Sequence, residues 1–95
     1  MREYELLYMI QPDLEEEKAT QLQERVAEII TQQGGQIQEV KEWGKRRLAY
    51  EIDDHREAFY IEVHFQGTPE VVEELERVIK ITSGYMRSIV TRIED

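Results

Sequence analysis

From Tyr4 to Ile10 the even positions Tyr4, Leu6, Tyr8 and Ile10 are apolar, while Glu3 and Glu5 begin the odd series. From Phe59 to Phe65 the odd positions Phe59, Ile61, Val63 and Phe65 alternate with Ala58, Tyr60, Glu62 and His64. A period of two marks a strand that buries one face and leaves the other open. A chain with two such strands must build a sheet and cover its inner face with a second layer.

Helices supply that layer. Gln11-Pro12-Asp13 interrupts the first strand, and the spacing of Asp13 and Glu16 predicts a capping box that starts a helix at Asp13. Leu14, Leu22, Val26, Ile29 and Ile30 fall on one helical stripe with Glu15, Glu17, Glu24 and Glu28 off it, until Gly34-Gly35 provides a left-handed stop. Thr68-Pro69 caps and starts a second helix, with Val71 or Val72, Leu75, Val78, Ile79 and Thr82 in stripe and Glu70, Glu73, Glu74 and Glu76 outward. That helix stops at Ser83-Gly84, and Tyr85 to Ile93 is a last strand with Arg87 and Arg92 set into it.

Between the helices, Gln36 to Ile52 reads as a long strand whose apolar residues change parity: Ile37 is odd, whereas Leu48, Tyr50 and Ile52 are even. A bulge at Gly44 accounts for the change, because an extra residue flips the faces and glycine accepts the backbone this requires. On that register Tyr50 packs inward. Asp53-Asp54-His55-Arg56 makes the turn into the Phe59–Phe65 strand. The order is β-α-β-β-α-β, an α+β, ferredoxin-like arrangement in which two helices cover one face of a four-stranded antiparallel sheet. The expectation is a single domain over residues 1–95, with no repeat beyond its two βαβ halves.

Charge narrows the partners. With 12 Lys and Arg against 21 Asp and Glu the net charge is −9, so the average field repels polyanions and any nucleic-acid contact must be local. The absence of Cys removes disulfides, thiolate metal sites and a cysteine nucleophile, which fits a cytoplasmic chain. The opening MREYELLYMI carries Glu3 and Glu5 within its apolar run and reads as neither signal peptide nor membrane span.

Enzyme chemistry finds little to work with. Ser83 and Ser88 lack a G-x-S-x-G setting, and His55 in a turn and His64 on a strand lie apart and read as surface polar residues. Asp53, Asp54 and His55 are adjacent in a tight turn, poorly arranged to converge on one ion. Gly34-Gly35 ends a helix where a phosphate cradle has to begin one. An acyl-phosphate hydrolase would need Arg and Asn in a loop after the first strand, and the chain has no Asn. No catalytic residue, metal, cofactor or small-molecule substrate is expected.

What stands out is Lys45-Arg46-Arg47, the one dense basic run, flanked by Trp43 and Tyr50. Strand alternation sends Lys45 and Arg47 to one side and Arg46 to the other. Two readings stay open on the residues alone: phosphate contacts, or cations that keep an edge strand from pairing with another chain. The open sheet face should carry Leu7, Met9, Tyr60, His64, and either Arg87 and Ile89 or their neighbours, a mixture that usually meets a partner. Arg56 to Val63 matches the signature strand of RNA-recognition modules only loosely.

WGKRRLAYEI after a glycine-ended helix, MREYELLYMIQP, REAFYIEVHF and MRSIVTRIED together resemble the bacterial small-subunit ribosomal protein S6 family over essentially the whole chain. Gly44 with Arg46-Arg47-Leu48-Ala49-Tyr50 is the most specific part, then Arg2 and Tyr4-Glu5. The resemblance implies a non-enzymatic, ribosome-bound protein of the cytoplasm that joins ribosomal protein S18 as a heterodimer and binds the central domain of small-subunit rRNA. It implies RNA-facing or interface cations at Arg2, Lys45, Arg46, Arg47, Arg87 and Arg92, while the open face, with Trp43, gives the expected partner surface of Leu7, Met9, Trp43, Tyr60, His64 and Ile89. Many relatives extend in a charged tail where this chain stops at Glu94-Asp95, and Tyr85-Met86 replaces a smaller aliphatic pair. With few cations against a net charge of −9, RNA binding should be weak alone and strong beside a basic partner. The rival reading is a ferredoxin-like module that pairs its open face with a copy of itself.

Overall fold

The computed structural model describes residues 1–93; Glu94 and Asp95, where the tail is expected to be missing, lie outside the described residues. Its elements are β1 (Arg2–Ile10), α1 (Glu16–Gln32), β2 (Gln36–Ile52), β3 (His55–Gly67), α2 (Pro69–Ile81) and β4 (Tyr85–Ile93). The four strands form one antiparallel sheet in the order β2-β3-β1-β4, so the two strands with the cleanest alternation are the central ones and the edge strands carry five of the six expected cations, all but Arg2.

Burial follows the predicted parity. Tyr4, Leu6, Tyr8 and Ile10 of β1 and Ile61, Val63 and Phe65 of β3 meet Leu22, Val26, Ile29 and Ile30 of α1 and Val71, Leu75, Val78 and Ile79 of α2. Each fully buried side chain of this size contributes about 1.5–3 kcal/mol by leaving water. Tyr4 stacks on Phe65 with ring centroids 5.5 Å apart, and Tyr8 meets Tyr85 edge-on at 5.9 Å. The Tyr85 hydroxyl donates to the Leu22 carbonyl at 2.6 Å, tying the start of β4 to the middle of α1. Burial pushes its pKa up to about 12, and raises that of Tyr8 beyond the ordinary phenol range as well.

Three expectations need correction. The first concerns Asp13, which does not cap α1: the helix begins at Glu16 after Glu15, with no side-chain cap bond. The Gln11 N–H donates to the Gly84 carbonyl at 2.9 Å, and Leu14 packs against the core beside Gly84. Residues 12–14 are spent on a turn that delivers Leu14 inward, which delays the helix. Gly84 sits at φ +109° with Leu22 against it, so a side chain there is excluded by backbone and contact together. Thr68 does stand at the N-cap of α2, likewise without a side-chain cap bond.

Second, the turn between β2 and β3 is only Asp53-Asp54, both at positive φ, while His55 and Arg56 already pair in β3. Two left-handed residues make the hairpin turn whose twist matches its strands, and Asp tolerates that conformation better than most.

Third, β2 is bulged twice before its basic run. The register shifts between Ile37 and Glu39 and again between Glu42 and Gly44, where Gly44 stands at φ +79° as expected. Two flips cancel, so Ile37, Lys45 and Phe59 share the helix side. A third irregularity between Arg47 and Ile52 carries Leu48, Tyr50 and Ile52 over the open face. Tyr50 is 64% exposed and does not pack inward.

Candidate nucleic-acid interface

The face without helices is assembled by register. Glu5, Leu7 and Met9 of β1 lie opposite His64, Glu62 and Tyr60 of β3, and Thr91 and Ile89 of β4 lie opposite Glu5 and Leu7. Alternation from Ile89 brings Arg87 to the same face, which settles the choice between these two residues and their neighbours. Of the expected partner surface, Leu7, Met9, Tyr60, His64 and Ile89 thus lie on the open sheet, and Trp43 reaches it from β2. Ile89, on the edge strand β4, is 61% exposed, an apolar group that water does not favour.

Tyr60 divides two grooves. One, of about 290 Å³, is lined by Leu7, Trp43, Arg46, Arg47 and Tyr60. The other, of about 310 Å³, runs between Met9, Tyr60, Ser88 and Ile89 on the sheet and Leu48, Tyr50 and Ile52 on the curled end of β2. An arginine and an aromatic ring guard each groove. The Arg46 guanidinium lies 5.9 Å from the Trp43 ring centre, and its Nε donates to the Trp43 carbonyl at 3.1 Å. Arg87 lies 6.0 Å from the Tyr50 ring centre with Nη1 3.5 Å from the phenol oxygen.

Such contacts are worth about 0.5–1 kcal/mol at exposed sites, enough to orient a guanidinium without neutralising it. The remaining N–H groups stay available for a bidentate acceptor. Among the described residues, Arg25, Lys41, Arg56 and Arg77 pair with carboxylates, whereas Lys45, Arg46, Arg47 and Arg87 form no ion pair. In a chain with 21 acidic residues, four cations held away from acids at one end of a sheet are a local positive surface against the average field.

The six expected cations do not share one margin. Arg46 and Arg87 lie on the open face with Arg47 at the border of the Arg46 groove, and Lys45 beside them is turned to the helix side, its ammonium 5.7 Å from the Phe59 ring centre. The predicted split of Lys45 and Arg47 from Arg46 holds in the register, where the three stand opposite Phe59, Ala58 and Glu57 without a shift, and Arg47 also borders the groove that Arg46 lines. Arg2 and Arg92 stand at the other end of the sheet, near the partners of Gly67 and Tyr4 and on the helix side. At about 3.3 Å per residue, the length of β1 separates the two groups by roughly 25 Å. Tyr50 is the groove residue that parity counting misses; a second bulge ahead of Gly44 is the signal that corrects it.

A polar cluster occupies the same face nearer Arg2. His64 Nε2 lies 2.5 Å from Glu62 Oε2 and 3.8 Å from Glu5 Oε2. Glu62 is 7% exposed, the one buried charged residue among those described. Among the described residues no helix is long and apolar enough to cross a membrane.

Comparison with known proteins adds identity to geometry. The family model described as ribosomal protein S6 matches residues 3–92. The small ribosomal subunit protein bS6 of Moorella thermoacetica is 48% identical over 95 residues, covering 100% of this chain and 97% of the relative, and that of Desulforudis audaxviator is 47% identical over 92 residues, covering 97% and 98%. The crystal structure of 30S ribosomal protein S6 from Thermotoga maritima superposes with a TM-score of 0.90 at 33% identity, covering 97% of this chain and 87% of that one. The C-terminal domain of the MgtC protein from Mycobacterium tuberculosis reaches a TM-score of 0.68 over 99% and 89% of the two chains at 11% identity, a likeness of fold alone.

Proposed function

The chain belongs to the ribosomal protein S6 family, a structural family of the small ribosomal subunit and not an enzyme family, and from that premise we propose that it binds the central domain of small-subunit rRNA as a heterodimer with ribosomal protein S18. The observation that carries this reading is the pair of arginines, Arg46 and Arg87, each laid on an aromatic ring at the open face and free of any carboxylate among the described residues. Guanidinium groups in that state donate to phosphate oxygens, and Trp43 and Tyr50 offer rings on which an unpaired base can stack. Arg47 and Lys45 extend the same cationic end. Arg2 and Arg92, at the far end, serve a second and separate backbone contact.

The partner follows from charge. A surface of three or four phosphate contacts gives modest affinity, and the net charge of −9 works against it. A basic companion on Leu7, Met9, Tyr60, His64 and Ile89 buries the apolar centre of the open face and reverses the field there. The acidic outer faces of α1 and α2 then point away from the RNA, and the protein acts where ribosomes assemble, in the cytoplasm.

Gel-shift titration of central-domain rRNA with this chain, with S18, and with both tests the reading. Weak binding by the chain alone and much tighter binding by the pair is the expected result. Equal binding with and without S18 would contradict it, and a dimer of this chain seen by light scattering in the absence of S18 would favour self-pairing of the open face instead.

A further inference from the structure

The open face carries a polar group of side chains, of which only His64 belongs to the proposed partner surface. Glu5, Glu62 and His64 come from neighbouring strands, with Glu5 directly opposite His64 in the β1–β3 register and Glu62 two residues before His64 on the same side of β3. One ligand atom from each lies within 4.8 Å of the other two. An ion at their centre would sit within about 3 Å of all three, and zinc–nitrogen and zinc–oxygen bonds of about 2.0–2.2 Å are reached when rotamer shifts part His64 Nε2 and Glu62 Oε2 from their 2.5 Å hydrogen bond.

Charge balance points the same way. Two carboxylates meet one imidazole, and the Glu62 carboxylate is almost entirely removed from water. Buried carboxylates require a compensating positive charge. Lys41 is the register partner of Glu62, but its ammonium pairs with Glu39 at 3.8 Å. Among the described residues no Lys or Arg forms an ion pair with Glu5 or Glu62; their partner in the group is His64. Even a protonated His64 leaves one negative charge in excess, carried by the partly exposed Glu5, and a divalent cation would neutralise both carboxylates.

We propose that Glu5, Glu62 and His64 form a three-ligand site for a divalent cation of the zinc class, with a fourth position open toward the solvent side of the sheet. The imidazole selects a borderline transition metal over magnesium or calcium, which prefer all-oxygen shells of higher coordination number. Three protein ligands with one open position leave room for water, or for a donor from whatever covers the face. His64 binds as the neutral ring through Nε2. The site stands independently of the RNA reading, since none of its ligands belongs to the arginine grooves.

Calorimetric titration of the full chain with zinc chloride and with magnesium chloride tests it, alongside thermal melts before and after chelation. The expected result is about one zinc per chain with a raised melting temperature, and no response to magnesium at the same concentration. Glu5→Gln, at a partly exposed ligand, should weaken zinc binding by at least about tenfold while keeping the fold. His64→Gln should abolish the zinc-induced rise in melting temperature, and His55→Gln in the β2–β3 hairpin should leave it intact. Absence of zinc binding to the unaltered chain, binding that survives His64→Gln, or binding that disappears with His55→Gln would overturn the proposal. None of these outcomes depends on whether the chain binds rRNA.

Discussion

The two faces of this sheet treat their charges in opposite ways. On the helix side, Arg25 pairs with Glu28 and Arg77 with Glu74, the latter through Nε at 2.9 Å, so the helices, which stay acidic overall, meet these two arginines with carboxylates a turn away. On the open side, Arg46 and Arg87 rest on Trp43 and Tyr50 and meet no carboxylate among the described residues. The difference shows how a chain of net charge −9 keeps a usable cationic surface: aromatic rings, which attract a cation without cancelling it, stand where acids would quench it. The core lies under one face, and the arginines backed by aromatic rings lie on the other.

That contrast breaks most visibly at the core. Phe65→Ala, at a fully buried position, should cost about 3–5 kcal/mol in chemical denaturation, whereas Arg46→Ala with Arg87→Ala should change stability by less than about 1 kcal/mol. A comparable loss from the arginine pair would mean that the open face also holds the fold together. Tyr85→Phe comes next, at about 0.5–1.5 kcal/mol, because it removes the buried hydrogen bond to the Leu22 carbonyl.

Tyr85 also gives the contrast a pH dependence. Its folded pKa of about 12 exceeds the ordinary 10.0, so folding favours the neutral phenol. The resulting stability is complete below pH 10.0 and is lost as the pH rises through about 12. Melting temperature measured across that window should fall, and fall less steeply in Tyr85→Phe. The smallest effect belongs to Arg77→Ala: under about 0.5 kcal/mol in stability, with rRNA affinity unchanged, since Arg77 is exposed and its partner is a partly exposed carboxylate on its own helix.

How legible this was in the sequence depended on how regular each strand is. β1 and β3 keep one pairing partner per residue along most of their length, so alternation named Tyr8, Ile61 and Phe65 as core without reference to anything distant. β2 does not. Gly44 marks one bulge by its residue type, but the bulge near Gln38 has no glycine to announce it, and two uncounted half-turns make parity useless by Tyr50. The start of α1 was missed for a related reason: the contact of Gln11 with Gly84 joins residues far apart in the chain, and it overrides the local capping pattern at Asp13. The basic run itself was plain. Which of its members share a groove, and that Arg2 and Arg92 stand apart from it, depended on strand order. The convergence of Glu5 with Glu62 and His64 likewise requires the β1–β3 register, which single-strand patterns do not contain.

The central claim, that Arg46 and Arg87 are kept unpaired for phosphate, is tested most directly by the salt dependence of binding to central-domain rRNA in the presence of S18. Two lost phosphate contacts should lower the slope of log affinity against log salt by about 1.5 in the Arg46→Ala, Arg87→Ala variant, while Arg25→Ala with Arg77→Ala leaves it unchanged. An unaltered slope in the first variant, or an equal decrease in the second, would contradict the account.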